Sequence, residues 1–542
     1  MSCTARFLLA AALIGTPADR AGRAVAQAEP SSIVIVTGAQ ATTPVPTLID
    51  GGQNTLENYE IADHLFLRLA GIGPGLITTG DRGFVPLLAR RWSRRDSLTL
   101  VFELDPRARW HDGAPVTASD VVFTYRRARD PAISPRLAGV TRRIASVEAE
   151  GDRQVVFRFR QVYAEQFYDA TFHVAILPAH LLASLPGTAK AWAPFVARPI
   201  GSGPYRWVRR VEGQFIELAA NRDFFLGRPG IERVIVRVAA STDARINMLL
   251  SGEADAMDNI PTPTTNIPRV EAVKTIKLVQ VPSNILGHLL FNLRDPQHRD
   301  RPHPILADRD VRRALILALD RELIVRAVLG PYGHVPYGPA SSQLWIHHGT
   351  PRPARQDVAT AKRLLENRGW VDRNGDGVRE NRGGRALSLQ LSVTVTSLTR
   401  GQMAAIVQEQ LRQVGVDIDI VRLDGPLWSE RRQAGKFDID FSATLQDPSP
   451  SGLAHSWSCG GAGSAGGYCD PVADSLLQRA ILSPTADQSQ WHAFLRQVEE
   501  GAPAVFLYAQ TFVFGVNRRF RAVTIRPESS WSSLWRWPPP KS

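Results

Sequence analysis

The stretch LSLQLSVTV at 387–395 alternates Leu387, Leu389, Leu391, Val393 and Val395 with Ser388, Gln390, Ser392 and Thr394. A period of two marks a strand with one face buried. Helical patterns flank it on both sides. Asp357 stands where it can cap a helix whose apolar face is Ala361, Leu364 and Leu365, stopped by Gly369. Met403, Ile406, Val407, Leu411 and Val414 form a second such face, stopped by Gly415. Strand and helix patterns alternate along the chain. SIVIVTGA (32–39), LTLVFEL (98–104), VVFRFR (155–160) and VIVRVA (234–239) read as strands, and Asp470-Pro471 opens a helix carrying Leu476, Leu477 and Ala480. No internal repeat or long low-complexity tract interrupts the pattern. The fold class is α/β (mixed α+β), and 542 residues suit two or three domains.

RWHDGAPVTASDVVFTYRRA (109–128) sets a histidine beside an aspartate. Adjacent side chains diverge, so the pair is read as a turn and not a catalytic dyad. Gly113 suits the positive φ that such a turn needs. Thr117 and Asp120 have capping-box spacing, with aspartate in the glutamate position, and Val121, Tyr125 and Ala128 mark the face of the helix they start.

The N-terminal segment has the pattern of an export leader. Arg6 precedes FLLAAALIG (7–15), too short to span a membrane, and Ala26-Gln27-Ala28 supplies a small-x-small cleavage pattern. Residues 1–28 are expected to be removed after Ala28. Cys459 and Cys469, ten positions apart in a glycine-rich loop, are too few for a tetrahedral zinc site. In an oxidising compartment a disulfide between them is expected.

Net charge is +12, but the arginines are scattered, with no run of five or six like charges and no interleaved aromatic platform. That pattern excludes a nucleic-acid partner. DRNGDGVRENRG (372–383) imitates a calcium loop with Asp372, Asn374 and Asp376 at positions 1, 3 and 5. Gly383 stands where the bidentate glutamate should be, so the segment is read as a polar turn. His347-His348, with His334 and His303 upstream, has no carboxylate or cysteine at ligand spacing. No metal and no cofactor is expected. The sequence carries no nucleophile elbow, no H-E-x-x-H pair and no phosphate loop, which leaves an exported hydrolase as the alternative of a second class.

Six ordered blocks resemble the family 5 extracytoplasmic solute-binding proteins, the dipeptide, oligopeptide and nickel group serving ABC importers. They are Pro86-Leu87-Leu88-Ala89 with Trp92, FELDPRARWHDGAPVTASDVVFTYRRA (102–128), IGSGPY (200–205), NRDFFLGRPGIERVIVRV (221–238), ARINMLLSGEADAM (244–257) and DRDVRRALILALDRELIV (308–325). The resemblance implies a two-lobed clamp with an extra inserted domain that binds a solute between its lobes without chemistry. It implies a discontinuous first lobe over 29–60, 200–282 and 506–542, an inserted domain over 61–199, and a second lobe over 283–505. It also implies a periplasmic monomer that delivers a small solute, peptide or peptide-like, to a membrane permease by hinge closure. A sensor or peptide-chaperone receptor on the same fold is the variant reading.

Peptide-binding members of that family place an aspartate three residues before a D-P pair, where it holds the peptide ammonium. In FDIDFSATLQDPSPSG (437–452) the pair is Asp447-Pro448, and the position three earlier is Thr444. A hydroxyl accepts a hydrogen bond but does not neutralise a buried cation. The usual amine anchor is therefore missing, and Asp447 replaces it only if the backbone shifts. The solute stays open between peptides, modified peptides, opine-like or sugar-type solutes and metal chelates. Thr444, Asp447 and Trp457, with Tyr508 and Phe512, are the expected wall residues, and Asn284 and Trp345 are weaker choices.

Overall fold

A computed structural model describes residues 31–49, 55–260, 264–347, 354–461 and 463–540. The leader (1–28) and His348 lie outside the described residues. The expected strands appear as Ser32–Thr37, Thr99–Leu104, Gln154–Phe159, Arg233–Val238 and Ser388–Thr394. The alternation at 388–394 breaks down toward its end, where Ser392 and Thr394 are buried along with Val393, and Val395 is exposed beyond the strand. The reason is position. This strand lies between two parallel neighbours, 417–423 and 439–445, and central parallel strands are covered on both faces.

The helix signals hold at atomic detail. Asp357 accepts from Thr360 N at 2.9 Å, and Asp470 accepts from Val472 N at 2.8 Å. Gly369 and Gly415 both sit at φ +80°, the left-handed conformation that ends a helix. Both halves of the Thr117/Asp120 capping box are made.

Two long strands organise the molecule, Ile276–Phe291 and Ala504–Asn517. They run antiparallel through an eleven-stranded sheet and join its two halves. The first half contains Ser32–Thr37, Arg233–Val238, Ala256–Met257, Phe215–Ala220 and Tyr205–Val211; the second contains 388–394, 417–423 and 439–445. Pairing of the long strands holds from Ile276↔Asn517 to Pro282↔Thr511 and resumes at Leu286↔Ala509. Pro282 has no N–H to give the ladder, and the extra residues after it form a bulge at the crossing.

A separate four-stranded antiparallel sheet (89–96, 99–104, 154–159, 144–150) carries the helix Ala118–Ala128. Its core, with Phe102, Phe157, Tyr125 and Phe167 fully buried, is continuous with that of the first half-sheet. The second half has its own clusters, one on each face. Buried arginines of the 308–325 block hold it together: Arg312 donates to the carbonyls of Leu306, Ala307, Gly501 and Ala502, and Arg321 to those of Phe506 and Ala354. These two motif arginines serve packing. Cys459 and Cys469 are bonded, with Cα atoms 4.4 Å apart. Among the described residues no helix is long and apolar enough to cross a membrane.

Candidate ligand-binding crevice

The parallel strands of both half-sheets aim their carboxyl ends at the crossing. In the first half, Ala256 pairs with Val516 and Met257 with Gly515, so the chain advances toward the crossing as it leaves the strand. In the second half, Ile439 pairs with Phe291 and Leu445 with Ile285, again advancing toward it. Crevices outside the carboxyl ends of parallel strands are where such sheets bind ligands, because the loops there are free of the ladder. The candidate walls are therefore residues 38–42 and 258–260 on one side, and 395–400 and 446–451 on the other.

Thr444 and Asn284 come together at this crossing. Thr444 lies directly across from Leu286, and Gln446 N donates to the Asn284 carbonyl at 2.9 Å. The Asn284 side chain is 1% exposed, and neither of its amide atoms has a partner. Tyr508 is near, its ring pressed on Gly287 so closely that a Cβ there would lie 1.9 Å from Cε1. Burial raises its hydroxyl, and the charge of Arg400 opposes that shift. Phe512 is half-buried on the first half-sheet side, opposite Val281.

The remaining expected wall residues sit elsewhere. Trp457 is 4% exposed and packs against Phe506 with ring centroids 5.3 Å apart. Trp345 borders a cavity of about 530 Å³ between the loop at 74–79 and residues 342–345 and 486–488.

Asp447 does not face the crevice as a free anion. Its Oδ1 accepts from Tyr168 Oη at 2.5 Å and from Ser449 N at 2.8 Å, and His173 Nδ1 lies 3.6 Å from Oδ2. Burial pushes the Asp447 carboxyl up, and the Tyr168 hydrogen bond pulls it back. Next to it, Glu165 Oε2 accepts from Ser449 Oγ and Ser451 Oγ, each at 2.5 Å, and Oε1 accepts from Thr78. Tyr168 and Glu165 come from the helical segment after the small sheet, about 280 residues away in sequence. The result is a clasp across the crevice. Hydrogen bonds to charged groups contribute about 1.5–3 kcal/mol each, so the clasp ties the 447–451 loop to the segment after the small sheet.

Asp258 and Arg400 were not singled out in the sequence. The signal for Asp258 was present, since it follows the G-E-x-D block at a strand end, where wall residues belong.

The 109–113 turn is structural. His111 Nδ1 accepts from Gly201 N at 3.1 Å, Nε2 contacts Gly203 O at 3.0 Å, and burial lowers the ring to about 4. Asp112 turns away to His180 at 2.8 Å, and Gly113 adopts φ +92°. At 372–380, ligand atoms of Asp372, Asp376 and Glu380 lie within 4.8 Å of one another; Asp372 and Asp376 are exposed, and the three carboxylates accept from backbone N–H groups of Gly375, Gly377, Val378 and Arg373.

Comparison with known proteins fits this geometry. Over 457 residues, 79% of this chain and 78% of the relative, the chain is 26% identical to the oligopeptide-binding protein AppA of Bacillus subtilis. The AppA structure in complex with a nonapeptide superposes with a TM-score of 0.79 at 24% identity, covering 94% of this chain and 99% of that one. NikZ of Campylobacter jejuni, in complex with Ni(L-His), gives 0.79 at 21% identity, covering 94% and 100%. MoaA of A. tumefaciens R10, in complex with mannopinic acid, gives 0.74 at 18%, covering 93% and 97%. Residues 83–464 match the model for bacterial extracellular solute-binding proteins, family 5 (middle region). With a two-lobed α/β fold whose half-sheets meet at the paired long strands, the chain belongs to that family of solute-binding proteins.

Proposed function

We propose that this protein is the receptor of an ABC importer, binding a peptide or peptide-like solute in the crevice and delivering it to a membrane permease by hinge closure. The observation that carries the reading is the convergence of both sets of parallel strand ends on one crossing, spanned by the Tyr168–Asp447 and Glu165–Ser449 contacts. The first lobe is assigned to 29–60, 200–282 and 506–542, the inserted domain to 61–199 and the second lobe to 283–505. Hinge motion between such lobes lets a partner distinguish loaded from empty receptor. The curated relative described as oligopeptide-binding supports peptide as the solute class. The protein works as a periplasmic monomer after loss of residues 1–28 and performs no chemistry on its solute.

Native mass spectrometry of protein purified without denaturation tests this reading. A retained adduct whose fragments are amino-acid residues is expected at one per chain. A metal chelate or a sugar acid in its place would remove the peptide assignment, and a steadily hydrolysed tripeptide would remove the receptor assignment.

A further inference from the structure

The two walls of the crevice carry opposite charges. On the first-lobe wall, the residue delivered at the end of Ala256–Met257 is Asp258. Its carboxylate is half-buried and receives one long hydrogen bond, 3.4 Å from Thr37 Oγ1. Among the described residues no cation contacts it. Arg245 is the positive charge that acts on it, but that guanidinium donates to the carbonyls of Ala239 and Ala240 at 2.7 and 2.9 Å and to Thr242 Oγ1 at 3.1 Å. Burial pushes the Asp258 carboxyl up to about 7, with Arg245 opposing the shift and Glu57 adding to it. A carboxylate removed from water without a counter-charge is unfavourable, and a ligand cation would compensate it.

The second-lobe wall is the reverse. It has Thr444 where an aspartate would receive an ammonium, and Asp447 is committed to Tyr168. Arg400, in the first turn of the helix Leu398–Arg412, makes no ion pair among the described residues, and its Nε is buried without a partner. Its positive charge acts on Tyr508 and on His288, whose direct neighbour Ser442 is two residues before Thr444. An ammonium placed at Thr444 would meet that field, and the nearby carboxylate, Asp447, is already engaged by Tyr168. Between the walls, Asn284 keeps both amide atoms open.

We propose that Asp258 holds the ammonium group of the solute in place of the missing carboxylate at position 444. This rests on the reading of the chain as a peptide-type receptor. The bound solute then lies with its cationic end on the first lobe and its anionic end toward Arg400.

The test is calorimetry with trialanine and N-acetyl-trialanine on the wild-type protein, Asp258→Asn and Asp258→Glu, each checked for a wild-type melting profile. Acetylation is expected to weaken wild-type binding about a hundredfold, about 2.7 kcal/mol. Asp258→Asn should bind both forms equally and weakly, and Asp258→Glu should recover part of the preference. Equal binding of both forms by the wild type, or an intact free-amine preference in Asp258→Asn, overturns the anchor while leaving the peptide reading standing. Binding of neither form by the folded wild-type protein overturns both.

Discussion

The two walls of the crevice are built alike and charged differently. Each ends a set of parallel strands at the same crossing, yet one presents Asp258, with Glu57 acting on it, and the other presents Thr444 and Arg400, whose charge acts on His288. In the proposed binding mode the backbone sets where a solute lies, and a few side chains set which way round it lies. The second wall has a further demand on it. Its one carboxylate next to Thr444, Asp447, is occupied by the clasp, so closing the lobes and holding an ammonium are assigned to different residues.

The difference is sharpest in its pH response. Asp258 has a folded-state carboxyl raised to about 7, so the empty protein prefers it protonated below that value. An ammonium requires the ionised form, and the affinity for trialanine should fall about tenfold per unit as pH drops from 7 toward 5. N-acetyl-trialanine should lack this slope, and Asp258→Asn should flatten it. His288 and His173, lowered by burial to about 4 and about 3, stay neutral throughout this window. An equal slope for the two peptides would place the titrating group elsewhere.

The opposite wall is tested through the other end of the solute. Arg400→Met should weaken trialanine binding about thirtyfold, within the 1.5–3 kcal/mol range for a charge-assisted hydrogen bond. C-terminally amidated trialanine should bind the variant and the wild type alike. A loss that is the same for both peptides would mean that Arg400 supports the fold and does not meet the carboxylate.

The clasp belongs to neither end of the solute. Tyr168→Phe removes the hydroxyl that donates to Asp447, leaving a desolvated carboxylate with less support in the closed form. Affinity should fall about fivefold, roughly 1 kcal/mol, and by the same factor for free and acetylated trialanine. A loss confined to the free amine would make Asp447 an anchor after all.

Smallest of all, on binding, is the effect expected at the 109–113 turn. His111→Ala should leave trialanine affinity unchanged, because the ring bonds to Gly201 and Gly203 and to no group of the crevice. Gly113→Val should instead lower the melting temperature, since a β-branched residue at φ +92° carries about 1–3 kcal/mol of strain. A folded His111→Ala protein with impaired binding would contradict the structural role of the turn.

Much of the fold was legible because its signals are local. A period of two, a capping aspartate and a stopping glycine each act within a few residues, and the positions at 357, 369, 415 and 470 were readable for that reason. The disulfide was readable from compartment chemistry and a ten-residue spacing. The site was less legible, since its contacts join distant segments. Asp447 reads as a wall residue from its D-P pair, and its bond from Tyr168, 279 residues earlier, leaves no local signal. Trp457 had the composition of a wall residue, but Phe506 and Tyr468 enclose it in a core. The long strands 276–291 and 504–517 were not recognised either. A proline and a bulge interrupt the first of them, and only pairing with the second reveals both as one crossing.

A crystal structure of the trialanine complex tests the opposed walls most directly. The ammonium nitrogen should lie about 3 Å from a carboxylate oxygen of Asp258, at ordinary hydrogen-bond distance, with the peptide carboxylate directed at Arg400. A peptide bound the other way round, with its ammonium against Thr444 and its carboxylate on the first lobe, would contradict the account.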